Sequence, residues 1–172
     1  MKSFSETNRL VVTDAGPLIA LSKSGYLHLL PALFSSVIIP ASVKEELRMD
    51  DDRPGSSTLR AAILHDAVYS IATAKSVPAA LVDLLDPGEA EAIALAEEKK
   101  CLLLIDERKG RSVARKRGIP IVGTGRILIA AKKHGHIKSI AEALEKLRQN
   151  GYRLADALCK EILRLAGETN PR

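Results

Sequence analysis

At 172 residues the chain is long enough for one domain with a real core and too short for two ordinary ones. Its 46% hydrophobic and 27% charged residues exclude a disordered chain, and a net charge of +5 suits a polyanionic partner. Aromatic residues make up only 3% and tryptophan is absent, which argues against the stacking platforms of sheet-faced single-strand binders and directs any nucleic-acid contact to phosphates.

The first nine residues carry no apolar core of the signal-peptide kind, and no apolar run in the chain approaches membrane-spanning length, so a soluble cytoplasmic protein is expected. Leu10 to Thr13 is a short apolar run without alternation, the pattern of a strand covered on both faces of a parallel sheet, and it stops at Asp14. An acid at a strand's carboxyl end faces the ligand crevice of an open α/β sheet; it is also a favoured helix N-cap. Gly16 is expected to let the backbone turn and Pro17 to open a helix carrying Leu18, Ile19 and Leu21. After Gly25 a helix is predicted from Tyr26 to Phe34, then a buried strand at Val37 to Ile39 ended by Pro40. Ala41 to Leu47 begins another helix, with Ser42 and Glu45 in capping-box spacing, which leaves Glu46 either solvated or functional. Asp50 to Ser57 reads as a loop, its three aspartates as solvated surface.

A helix over Leu59 to His65, a half-exposed strand over Val68 to Ile71 and a short helix over Pro78 to Leu85 follow. Asp86-Pro87-Gly88 starts a strong helix rich in small residues, with Glu89 and Glu91 in its first turn, where the helix dipole favours negative charge. Cys101 to Ile105 repeats the opening theme, an apolar strand ending at Asp106. The helix from Glu107 to Arg117 is basic and contains Arg108, Lys109, Arg111 and Arg115. Ile119 to Val122 is a strand whose Pro120 puts it at a sheet edge. Gly123-Thr124-Gly125 then opens a helix; it is half of a dinucleotide fingerprint, with Leu128 where the third glycine would stand. A second capping box, Ser139 with Glu142, starts a helix to Gln149, and an amphipathic helix from Ala155 to Leu165 comes last. Cys101 and Cys159 have neither the spacing nor the partners of a zinc site or a disulfide framework.

Strands alternating with helices specify a single three-layer α/β/α sandwich with a mainly parallel central sheet. Asp14, Glu46, Glu89 and Asp106 would then share the carboxyl-end rim. Carboxylates crowded there repel one another unless a cation holds them, and hard oxygen donors select Mg²⁺ or Mn²⁺. Such ions serve phosphodiester hydrolysis, and the basic helix behind Asp106 offers Arg108, Lys109, Arg111 and Arg115 to the phosphate backbone.

The succession of Asp14-x-Gly-Pro-Leu-Ile, Val43 to Leu47 around Glu46, Gly88-Glu-Ala-Glu-Ala and Leu103 to Asp106 resembles the PIN domain, a family of metal-dependent nucleases, in a bacterial and archaeal branch. The resemblance covers a core from about residue 10 to 151, with residues 152–172 as a C-terminal helical extension. It implies that Asp14, Glu46, Glu89 and Asp106 bind Mg²⁺ or Mn²⁺, with Glu91 the alternative to Glu89. It further implies endonuclease activity on single-stranded RNA, homodimer formation, and a toxin's place in a toxin–antitoxin pair, with a protein antitoxin as partner. Two departures stand out: Ala15-Gly16 replaces the Ser or Thr and Asn or Ser of many members, and only Glu107 offers a further acid after Asp106. They keep open a catalytically weak or inactive module of the same fold that binds nucleic acid or protein. A phosphatase with its Asp after the first strand is ranked last, because that chemistry wants a second Asp at position 16, which is Gly.

Overall fold

The computed structural model describes residues 10–168; residues 1–9, read above for a signal peptide, and residues 169–172 lie outside them. In chain order the elements are β1 (Leu10–Thr13), α1 (Ala15–Lys23), α2 (Leu29–Leu33), β2 (Ser36–Pro40), α3 (Ala41–Leu47), α4 (Ser56–His65), β3 (Tyr69–Ala72), α5 (Ala79–Val82), α6 (Pro87–Lys99), β4 (Leu102–Leu104), α7 (Arg108–Lys116), β5 (Ile121–Val122), α8 (Thr124–Lys133), α9 (Ile140–Gln149) and α10 (Asp156–Leu165). The strands form one sheet in the order β3-β2-β1-β4-β5, every pairing parallel. β1 is central, with Val12 opposite Ile38 on one side and Leu103 on the other. Val11, Val12 and Thr13 are accordingly sealed from solvent, as the unbroken apolar run requires.

Alternation along the strands divides the core in two. Val11, Val37, Ile39, Leu102 and Leu104 face a layer built from α1, α2, α8 and α9, which Ile162 of α10 joins. Val12, Ile38, Leu103 and Ile105 face the opposite layer of α5, α6 and α7. This is a three-layer α/β/α sandwich. β3 and β5 are the outer strands, in keeping with the half-exposed pattern of the one and the proline beside the other. No helix among the described residues is long and apolar enough to cross a membrane.

The residues of α6 from Gly88 to Ala96 are all buried, because the helix packs on β1, β2 and β4 and is also enclosed by α3, α5 and α7. Only glycine and alanine on several faces permit that closeness. Enclosure on all sides is also what draws Glu89 and Glu91 out of solvent, although both lie in the first turn and a half of a helix.

Several local expectations are corrected. Gly16 lies within α1 and has no left-handed backbone; the direction changes at Asp14, which is extended at φ −79° and ψ 166°. The Ser42–Glu45 capping box does not form: the N-cap is Pro40, two residues earlier, and the Ser42 amide is taken by a carboxylate distant in sequence. α4 begins at Ser56, inside the expected loop, after Gly55 in the left-handed region at φ 88°. The second box forms by half: Ser139 Oγ accepts the Glu142 amide at 3.1 Å, while the Glu142 carboxylate pairs with Lys146 at 2.9 Å.

Candidate active site

β1 and β4 are adjacent and parallel, so the residues that follow them emerge at one rim. Asp14, directly after β1, is the N-cap of α1, yet its side chain makes no capping hydrogen bond. The residue is only 7% exposed. Burial pushes its carboxyl up to about 6, the amides of Ala15 and Gly16 draw it back, and the charges of Glu46 and Asp86 push it up again.

Glu46 reaches the same place from the exposed side of α3. Partial burial of its carboxyl and then the nearby Asp86 raise its pKa. A Cβ at Gly88 would lie 2.6 Å from Glu46 Oε2 and 3.4 Å from Asp86 Oδ1, so glycine there leaves room for the Glu46 carboxylate at the start of α6. Asp86 caps that helix by accepting the Glu89 amide at 2.8 Å.

Glu89 is the most confined of the group. It is 6% exposed, and its Oε1 is buried with no hydrogen-bond partner. Burial first, then the charges of Asp86 and Asp14, push its carboxyl up to about 7. A Cβ at Gly110 of α7 would come within 2.9 Å of this oxygen, so a second glycine keeps the space around it open.

Asp106, two residues beyond β4, is tied to the start of α8. Its Oδ1 accepts the Thr124 amide at 2.8 Å and its Oδ2 accepts the Thr124 hydroxyl at 2.6 Å. The Tyr152 hydroxyl sits beside both residues, its pKa raised by burial and then by Asp106. Arg111 Nη1 donates to the Ile105 carbonyl at 2.8 Å and is held close to Asp106. Asp14, Asp106 and Arg111 line one groove of about 590 Å³, shared with Arg126, Tyr152 and Arg153.

The structure thus brings Asp14, Glu46 and Glu89 together, and Asp106 lines a groove with Asp14. Glu91 is engaged elsewhere: its Oε2 accepts the Ser42 amide at 2.8 Å and its Oε1 the Ala74 amide at 3.1 Å, so it pins α3 and the segment after β3 to α6. Replacing Glu91 with Gln sets an amide donor against one of those N–H groups. A loss of about 1–2 kcal/mol in urea unfolding is the expected outcome. Of the four basic residues expected at phosphates, Arg111 lines the groove, whereas Arg108, Lys109 and Arg115 stand exposed on α7.

Sequence reasoning passed over Asp86, read only as a helix start, and Arg126, Tyr152 and Arg153. Arg126 had a signal, since it follows β5 at the same carboxyl-end rim.

Among the described residues no three acidic, His or Cys side chains close into a cation cage as they stand. The donor chemistry nonetheless fits a hard divalent cation. Asp14, Glu46 and Glu89 supply carboxylate oxygens, one of them buried without a partner, and their mutual repulsion is what such an ion relieves. A search of curated proteins returns no match. A family model described as a PIN domain matches residues 10–168. With the parallel sheet and the acids gathered at its carboxyl-end rim, this shows that the chain belongs to the PIN-domain family, whose fold is of the nuclease type.

Proposed function

We propose that the protein is an endoribonuclease that hydrolyses phosphodiester bonds of single-stranded RNA with Mg²⁺ or Mn²⁺. The observation that carries this reading is the Glu89 carboxylate, buried with an unpartnered oxygen among Asp86, Asp14 and Glu107. In this reading Asp14, Glu46 and Glu89 would hold the cation, with Asp106 in the groove that Asp14 also lines. When bound, the ion supplies a polarised water and neutralises charge on the phosphate under attack. With its carboxyl pushed up to about 7, Glu89 would hold a proton for part of the time at neutral pH, and as a ligand it would have to be deprotonated. Asp106, fixed by Thr124, keeps Arg111 in place beside the groove, where its guanidinium meets a phosphate oxygen. The protein is, on the same reading, the cytoplasmic toxin of a toxin–antitoxin pair, homodimeric and silenced by a protein antitoxin.

The second reading, a module that binds without cutting, is favoured by one observation: both Asp106 oxygens are already held by Thr124. Incubation of a labelled single-stranded RNA with Mn²⁺ or with EDTA separates the two. Cleavage that EDTA abolishes is expected. RNA that stays bound and intact with every divalent ion tested would establish the binding module instead.

A further inference from the structure

Beside Asp106, α8, α10 and the segment between α9 and α10 build a second surface of the groove. Arg126 follows the start of α8, and Arg153 precedes α10; both are exposed and line the groove with Arg111. Among the described residues neither Arg126 nor Arg153 has a hydrogen bond or ion pair from its side chain. Glu161, the one acid of α10 in the groove wall, is already paired with Arg164 at 2.7 Å. Burial and then Arg115 lower the pKa of Arg111, Asp106 and Tyr152 raise it, and Arg126 lowers it again, so Arg126 is near enough to act on the same cleft. Unpaired guanidinium groups around a cleft mirror the crowded carboxylates, and an anion relieves them as a cation relieves the acids.

The same wall carries apolar surface. Leu158 and Leu165 of α10 are 47% and 41% exposed and face the groove together with Ile129 and Leu154. α10 is held there by Ile162, which packs so closely on α8 that a Cβ at Gly125 would lie 2.4 Å from its Cδ1. Charge and apolar surface side by side suit a ligand with a phosphate and a flat apolar face within one unit. A single-stranded nucleotide has both; a duplex turns its base faces inward.

We propose that Arg126 and Arg153, with Arg111, form a phosphate clamp and Leu158 and Leu165 a base shelf, so that this wall seats one nucleotide of a single RNA strand next to the acids. The inference rests on the nuclease reading for the identity of the strand, and it assigns α10 a place in substrate binding. The test is fluorescence anisotropy with a labelled 12-nucleotide oligouridylate in EDTA, over a range of salt. Arg126→Ala/Arg153→Ala is expected to weaken binding about tenfold and to lower the slope of log affinity against log salt by about 1.4, for two phosphate contacts on a single strand. Lys133→Ala/Lys138→Ala, with the same charge change but exposed at and beyond the other end of α8, is expected to leave the slope unchanged. Leu158→Ser is expected to weaken the oligonucleotide severalfold while leaving competition by inorganic polyphosphate as in the wild type.

An unchanged slope in the arginine double variant, an equal drop in the lysine pair, or a wild type that does not bind the oligonucleotide would each overturn the clamp. Equal effects of Leu158→Ser on oligonucleotide and polyphosphate would overturn the shelf. A clamp that behaves as expected in a protein that never cleaves would refute the nuclease reading alone, and cleavage with the slope unmoved would refute the clamp alone.

Discussion

Glu89→Gln is expected to cut Mn²⁺-dependent RNA cleavage roughly 10²–10³-fold while raising the melting temperature of the metal-free protein at pH 8. The two effects have one cause. Glu89 is buried among Asp86, Asp14 and Glu107, and its carboxyl is pushed up to about 7 from an ordinary value near 4.5. A carboxylate whose folded pKa is raised costs nothing below its unfolded pKa, where it is protonated in both states. The cost grows as pH rises from about 4.5 to 7 and is complete above that. Removing the charge therefore returns about 2 kcal/mol at pH 8, or about 4–8 °C for a domain of this size. The gain vanishes at pH 4, where wild type and variant should melt together. Asp14→Asn, raised to about 6 for the same kind of reason, is expected to behave likewise. Calorimetry in EDTA at pH 4 and pH 8, alongside gel-based cleavage assays, checks both halves. Activity that survives both substitutions would remove the acids from the chemistry, and a variant less stable than wild type at pH 8 would show that Glu89 is paired.

Glu168 works in the opposite sense, and Glu168→Gln is expected to destabilise the protein by about 2 kcal/mol at pH 7. Its Oε1 accepts from Lys132 Nζ at 2.6 Å and from the Ile140 amide at 2.6 Å; its Oε2 accepts from the Ala141 amide at 2.8 Å and the Ser139 hydroxyl at 3.3 Å. One carboxylate thus ties the end of α8 to the first amides of α9, which have no partner within the helix. Burial pushes the group up, but Lys132 and the two amides outweigh it and hold it at about 2. With a depressed folded pKa, the stabilisation is present in full above pH 4.5 and is lost as pH falls towards 2. Urea melts at pH 7 and pH 2.5 should show a gap between wild type and variant that closes at the lower pH; a gap of equal size at both would deny the charge its part.

β1, β2, β4 and β5 were legible because each is a short apolar run with a carboxylate, proline or glycine close behind it, and the outer β3 because its mix of apolar and polar residues marks a half-exposed strand. Asp14 and Asp106 were legible for the same reason, since the parallel sheet dictates where strand ends go. The capping motifs were less so. Ser42 and Glu45 satisfy the local pattern, but the Ser42 amide is claimed by Glu91, 49 residues away, and a short-range pattern holds no record of such a competitor. Asp86 was overlooked because capping α6 already explained it; the cap and the acid cluster are one residue used twice. Tyr152 and Arg153 lie in an irregular segment between helices, where no periodicity directs a side chain towards a groove made by other elements.

The strand order also sets a timetable for synthesis. Val12 pairs with Leu103, so the central strand leaves the ribosome 91 residues ahead of its second neighbour, roughly 5–20 s at ordinary elongation rates. Asp14 and Glu46 can be positioned by β1 and β2 in that interval, but Asp106 and its Thr124 anchor do not yet exist. A nascent chain therefore carries half a rim; Asp106 gains its anchor once translation has passed the start of α8, and the groove its last wall only with α10.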